Sequence, residues 1–199
     1  MSERNKEVKR LKFWTPLRLV TSIIALGLLV AVAVSSCNSN DPPSKSAVRN
    51  ALPRQVLEAE NRAASGAAPI KLGDYSGKVL LVNLWATWCG PCQKETPELV
   101  KIHKEYQSRG VEVVGLSTEN PDASARSVSD FVRQFNVDYQ IGWAKPEVAQ
   151  IMMQGRTSIP QSFIIARDGR VIRRFIGYNP DTTPTQIKEA LERALNEEG

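Results

Sequence analysis

Between residues 67 and 199 the apolar positions fall into short blocks whose period changes from one block to the next. Val79–Trp85 (VLLVNLW) is a nearly continuous apolar run, the pattern of a strand buried on both faces. A turn over Thr87–Cys92 follows, then a helical stretch to about Ser108 that Gly110 closes. Val111–Leu116 (VEVVGL) reads as a second buried strand. Strand, helix and strand in this order form a βαβ unit, with a parallel pair and a right-handed crossover. Val128, Phe131, Val132 and Phe135 lie along one stripe of a helix over Ala123–Phe135. Another helix opens at Pro146, with Val148, Ile151 and Met152 on one face. Gln161–Arg167 and Arg170–Gly177 flank Asp168-Gly169, which predicts an antiparallel hairpin. The last helix places Thr183 at the N-cap, Pro184 at the first position and Gln186 where a capping box needs it. Its buried stripe is Ile187, Leu191, Ala194 and Leu195. The pattern predicts an α/β domain with a mixed sheet, half parallel and half antiparallel.

The N-terminal pattern is of another kind. Leu19–Ser36 (LVTSIIALGLLVAVAVSS) holds no charged residue. As a helix it rises about 27 Å at 1.5 Å per residue, just short of a hydrocarbon core of about 30 Å. It therefore suits either a signal peptide or a membrane anchor, and neither belongs to the fold of the domain. Val34-Ser35-Ser36-Cys37 closes the run and resembles a bacterial lipobox, which makes Cys37 a candidate for lipidation after cleavage. The other reading is an uncleaved anchor with an incidental cysteine. Residues 38–46 are polar and proline-bearing, as in a tether, and Leu52, Val56 and Ala63 have the spacing of a short helix that Gly66 and Pro69 end. The expected organisation is a signal peptide or anchor over 1–36, a tether with room for a short helix over 37–66, and the domain over 67–199.

Charge settles which side of the membrane this implies. The chain carries a formal +5, but residues 1–18 hold six basic residues against two acidic ones, and the remainder is nearly balanced at 20 against 19. Positive-inside logic keeps residues 1–18 in the cytoplasm and sends the rest across. A near-neutral domain also lacks the electrostatic footprint of a nucleic-acid binder.

The chemistry centres on Trp88-Cys89-Gly90-Pro91-Cys92. A Cys-x-x-Cys pair where a strand turns into a helix reads as a redox motif. Residues three apart on a helix are neighbours, so the sulfurs can bond. Cys89 falls at the helix N-terminus, where free N–H groups and the helix dipole favour an anion; this lowers its pKa and supplies the reactive thiolate. Cys92, one turn in, is the resolving thiol. A structural disulfide and a zinc half-site are the other uses of such a pair. Zinc wants four ligands, and the chain offers only these two, the distant Cys37 and one histidine.

Taken with the hairpin, these elements resemble the thioredoxin superfamily over roughly residues 67–197, and in particular its membrane-tethered TlpA/ResA-like branch. The resemblance rests on Asn83-Leu-Trp-Ala-Thr-Trp-Cys-Gly-Pro-Cys92, Glu95-Thr-Pro97 and Ile159-Pro160. It implies a thioredoxin-like three-layer sandwich and extracytoplasmic thiol–disulfide exchange in a bacterial cell envelope, with no metal or organic cofactor. Pro160 matches the family's cis-proline, and the backbone of Ile159 would bond an incoming substrate strand. Glu95 matches a catalytic glutamate; burial there would raise its pKa and let it exchange a proton with Cys92. Asn83 replaces the buried aspartate of cytoplasmic thioredoxins and cannot titrate. The branch further implies protein disulfide or dithiol substrates, such as apocytochrome c, and a membrane electron donor of the CcdA/DsbD type.

Trp88 is expected as a surface indole that packs on partners, Trp85 as a core residue and His103 as a boundary packing residue. Arg167, Arg170, Arg173 and Arg174 are expected as a solvated strand edge, with docking of an acidic partner as the alternative. Two other functions are weighed. A peroxiredoxin-like peroxidase wants Pro-x-x-x-Thr-x-x-Cys, and here Asn83 stands where that proline would be, while Cys89 follows Thr87 by only two. A copper carrier of the Sco type wants Cys-x-x-x-Cys and a histidine, one residue more than the spacing here.

Overall fold

The computed structural model describes residues 51–197. Cys37, the leader over 1–36 and the first part of the tether lie outside the described residues. Among the described residues, no helix is long and apolar enough to cross a membrane.

In chain order the elements are α1 (Arg54–Leu57), β1 (Arg62–Ala63), β2 (Val79–Trp85), α2 (Gly90–Tyr106), β3 (Val111–Ser117), α3 (Pro121–Gln134), β4 (Gln140–Trp143), α4 (Pro146–Met153), β5 (Gln161–Ile165), β6 (Val171–Ile176) and α5 (Thr183–Asn196). The six strands form one sheet in the order β1-β4-β3-β2-β5-β6. β2 runs parallel to β3, and β3 to β4. β5 runs antiparallel to β2 and to β6, and β1 antiparallel to β4.

Every residue of β2 is buried, as its continuous apolar run predicts. Its odd positions, Val79, Leu81 and Trp85, enter one core with Leu99, Ile102 and Tyr106 of α2, Val128 and Phe131 of α3, and Ile187 and Leu191 of α5. Its even positions, Leu80, Val82 and Leu84, face a second core with Val56 of α1 and Val148 and Met152 of α4. Helices on both faces of a mixed sheet make the three-layer α/β sandwich. Asn83 has the odd parity, so the one polar residue of β2 points towards α2.

The helix ends have local causes. Asn120 caps α3, its side chain accepting from the N–H of Asp122 (2.9 Å) and Ala123 (3.1 Å). A short 3₁₀ turn after α2 ends on Gly110 at φ 87°, a conformation a side chain would resist. Asp168-Gly169 makes the β5–β6 turn, with Asp168 Oδ1 accepting from Arg170 N–H at 3.1 Å.

Four expectations change. The packed chain starts before the expected boundary at 67: Leu52, Val56 and Ala63 are core residues, and β1 pairs with β4. The helix expected from their spacing shrinks to the single turn α1, because Ala51 and Asn61 make bridges to Arg170 and Ile70 and hold the flanks extended. At α5 the N-cap is Thr182, with no side-chain cap bond. Thr183 Oγ1 instead accepts from Asn179 N–H (3.0 Å) and Gln186 Oε1 from Arg173 (3.3 Å), so no capping box forms. Finally, the arginines of the hairpin are not a free solvated row. Arg167 donates to the carbonyl of Leu195 (3.0 Å), Arg170 to Asp168 and Glu197, and Arg174 to Gln161 Oε1 and the Met153 carbonyl. They tie the edge strand β6 to its neighbours.

Candidate active site

β2 ends at Trp85 and the chain must turn sharply into α2. Cys89 is the N-cap of α2, and its Sγ accepts from the N–H of Cys92 at 3.2 Å. The two cysteines are joined in a disulfide, with their Cα atoms 5.2 Å apart. Both are buried, Cys89 4% and Cys92 1% exposed. The neighbouring Trp88 indole is 71% exposed. The first turn of a helix directs unpaired N–H groups at its N-cap, and here one of them already points at sulfur.

From across the sheet, the start of β5 meets this turn. The Ile159–Pro160 bond is cis, and the Ile159 carbonyl oxygen stands 3.7 Å from Cys89 Sγ. The Pro160 carbonyl accepts from Gly177 N–H (2.8 Å), which secures the β5 end against β6. Residues 70 positions apart in sequence therefore share one sulfur environment.

Glu95 lies beneath, 1% exposed. Its Oε2 accepts from Asn83 Nδ2 (2.9 Å) and its Oε1 from Ser162 Oγ (3.0 Å), while Asn83 Nδ2 also reaches Ser162 Oγ (2.9 Å). Burial pushes the carboxyl up to about 7, against the opposing pull of these hydrogen bonds from Ser162 and Asn83. Pro97, inside α2, has no N–H to give to the Gln93 carbonyl. Thr96 Oγ1 bonds the Cys92 carbonyl at 2.9 Å. Tyr139 packs nearby, its hydroxyl pushed well above the ordinary range by burial and by the Glu95 charge.

The site thus gathers Trp88, Cys89, Cys92, Glu95, Ile159 and Pro160, all named from the sequence. Cys37 lies outside the described residues. Trp85 is 2% exposed and stacks on Phe131 (4.4 Å between centroids). His103 is buried at the edge of the Tyr139 ring and takes no part. Three further residues were not singled out in the sequence: Ser162, Tyr139 and Glu119, which accepts from the N–H (2.7 Å) and hydroxyl (2.8 Å) of Thr87. A serine two residues after the cis-proline, inside the run QSFII, was the available signal for the first. Among the described residues, no three His, Cys, Asp or Glu side chains gather as a metal site.

Comparison with known proteins agrees with this geometry. Residues 46–191 match the family model described as Redoxin. The chain is 33% identical over 124 residues to the thiol-disulfide oxidoreductase ResA of Bacillus thuringiensis subsp. konkukian (strain 97-27), covering 62% of this chain and 68% of that protein. It is 30% identical over 173 residues to ResA of Bacillus subtilis (strain 168), covering 86% and 88%. Among solved structures, a protein described as a putative thiol:disulfide interchange protein DsbE from Chlorobium tepidum superposes with a TM-score of 0.62 at 23% identity, over 71% of this chain and 95% of that one; this likeness establishes the thioredoxin-like fold. The sulfur pair at a helix start, the fold and these relatives converge: the chain belongs to the redoxin family, as a ResA/TlpA-like thiol–disulfide oxidoreductase of the thioredoxin superfamily.

Proposed function

We propose that this protein reduces disulfides of other proteins outside the cytoplasm in a bacterial cell envelope, tethered to a membrane there by its N-terminal segment. The observation that carries the reading is the placement of Cys89 Sγ, which accepts the Cys92 N–H at 3.2 Å and lies 3.7 Å from the Ile159 carbonyl oxygen. A thiolate is stabilised there and has a backbone edge beside it on which a substrate strand can lie.

The reaction is two successive exchanges. The Cys89 thiolate attacks one sulfur of the substrate disulfide, and the other substrate sulfur leaves as a thiolate. Trp88 and the backbone of Ile159 and Pro160 hold the substrate during this step. Glu95 then takes the Cys92 proton, and the Cys92 thiolate attacks Cys89 Sγ. The second substrate sulfur leaves, and Cys89 and Cys92 are joined. Two electrons have passed to the substrate. A membrane dithiol donor of the CcdA/DsbD type restores the pair by the same exchange in reverse, so no cofactor takes part. The basic leader and the uncharged run before Cys37 support the location, and lipidation of Cys37 would fix it to the membrane.

The test is capture by Cys92→Ser in the full-length protein in cells. This variant cannot resolve, so envelope proteins with disulfides accumulate on Cys89 as mixed disulfides, and the wild-type pair is isolated mainly as the dithiol. Absence of adducts, or a pair isolated wholly as the disulfide, overturns the reductive reading.

A further inference from the structure

Thr87 is the last residue before Trp88 and the cysteines, and all of its polar groups are held. Its N–H donates to Glu119 Oε2 (2.7 Å) and its hydroxyl to Glu119 Oε1 (2.8 Å). Its carbonyl accepts from Gln93 Nε2 in the first turn of α2 (2.8 Å). Glu119 lies just past the end of β3 and is itself fixed, because Ser117 Oγ donates to its Oε2 (3.0 Å) and accepts from its N–H (3.2 Å). One residue earlier, Thr118 N–H donates to the Trp85 carbonyl at 2.9 Å. The β3 end thus grips both ends of the segment 85–87, while Cys89 N–H closes a turn onto the Ala86 carbonyl at 3.2 Å. A half-buried carboxylate that accepts three hydrogen bonds from a fixed strand end and a loop is costly to build for surface decoration. It holds Thr87, the half-buried residue between Ala86 and Trp88, at a point where the turn leaves the core.

We propose that Glu119 is a positioning residue for the exchange reaction: through Thr87 it fixes the turn that sets Cys89 Sγ on the N-terminus of α2. The inference rests on the reading of Cys89 as the attacking sulfur. It has an unusual property among charge effects near a thiol. A carboxylate near a thiolate disfavours it, so removing Glu119 as a mere charge makes Cys89 more reactive. Removing it as a clamp lets the turn drift, weakens the Cys92 N–H contact and makes Cys89 less reactive. The two roles predict opposite signs.

The experiment measures alkylation of Cys89 by iodoacetamide at pH 7 in the reduced full-length protein, read on the Cys89 peptide by mass, with Glu95 intact throughout. Glu119→Ala slows the reaction about twofold or more, because the thiolate fraction falls as the Cys92 N–H contact weakens. Thr87→Val keeps the charge, loses the hydroxyl bond and also slows it. Thr87→Ser keeps both donors and matches the wild type. The double variant Glu119→Ala/Thr87→Val is no slower than Glu119→Ala, because both act through one contact. Faster alkylation in Glu119→Ala, an unchanged rate in Thr87→Val, or effects that multiply in the double variant overturn the clamp. Should Glu119→Ala not fold, Thr87→Val against Thr87→Ser decides the question. A failure of the underlying reading looks different: in the wild type, Cys92 would then be alkylated as fast as Cys89.

Discussion

Glu95 and Ser162, 67 residues apart, meet through a 3.0 Å hydrogen bond from the serine hydroxyl to Oε1, closed into a triangle by Asn83. A carboxyl this deeply buried is poised between two protonation states near neutrality because burial and these two donors oppose each other.

Ser162→Ala removes one of the bonds that hold the Glu95 carboxyl down, so its pKa rises further above about 7. A hydrogen bond to a charged group is worth about 1.5–3 kcal/mol, so a shift on the order of one pH unit is expected. As the proposed base of the resolving step, Glu95 acts only when ionised. The alkaline-going limb of the resolving step, measured as release of substrate from the Cys89 mixed disulfide, moves to higher pH by that amount. An unmoved limb removes the serine from the proton path.

Glu95 also predicts how stability depends on pH. Its ordinary value is 4.5 and its folded value about 7, so the folded protein holds the proton more tightly than the unfolded chain. The contribution is fully present below pH 4.5 and is lost as pH rises through 7. The shift corresponds to about 3 kcal/mol. Urea unfolding of wild type and Glu95→Gln, compared from pH 5 to pH 8, should show the wild type losing about that much relative to the variant. Parallel pH curves for the two proteins contradict the burial argument.

Much of this fold was legible because its strands are long and its motif local. β2 and β3 read as buried strands from Val79–Trp85 and Val111–Leu116, against seven residues each in the structure, and the hairpin announced itself by Asp168-Gly169. β1 and β4, with two and four residues, are too short to display a period, and their pairing is a tertiary fact. The site divided in the same way. Cys89, Cys92 and Glu95 lie on one helix and share a face by spacing alone. Ser162 reaches the site from β5 and Glu119 from the loop after β3, and nothing in their local sequence states what they face.

The edge pairing of β1 with β4 makes a separate prediction. A Cβ on Gly142 would stand 2.4 Å from the Arg62 carbonyl oxygen, a backbone atom, and 2.8 Å from Ile70 Cδ1. Gly142→Ala must therefore push β1 off the sheet, at a cost of about 2–3 kcal/mol. Gly115→Ala meets chiefly the flexible end of Ile141 at 2.6 Å, and should cost less. Thermal unfolding of both variants checks the order, and a Gly142→Ala protein as stable as wild type would refute the close approach.

The contact of Cys89 with the Ile159 carbonyl has a bearing on biosynthesis. A growing chain exposes its two sulfurs long before the strand that follows them in space has been made. Until residue 160 is added and β5 slots between β2 and β6, the backbone edge proposed to receive a foreign polypeptide is not in place beside Cys89. On the proposed reading, selective capture of partners is thereby postponed to the moment the sheet is complete.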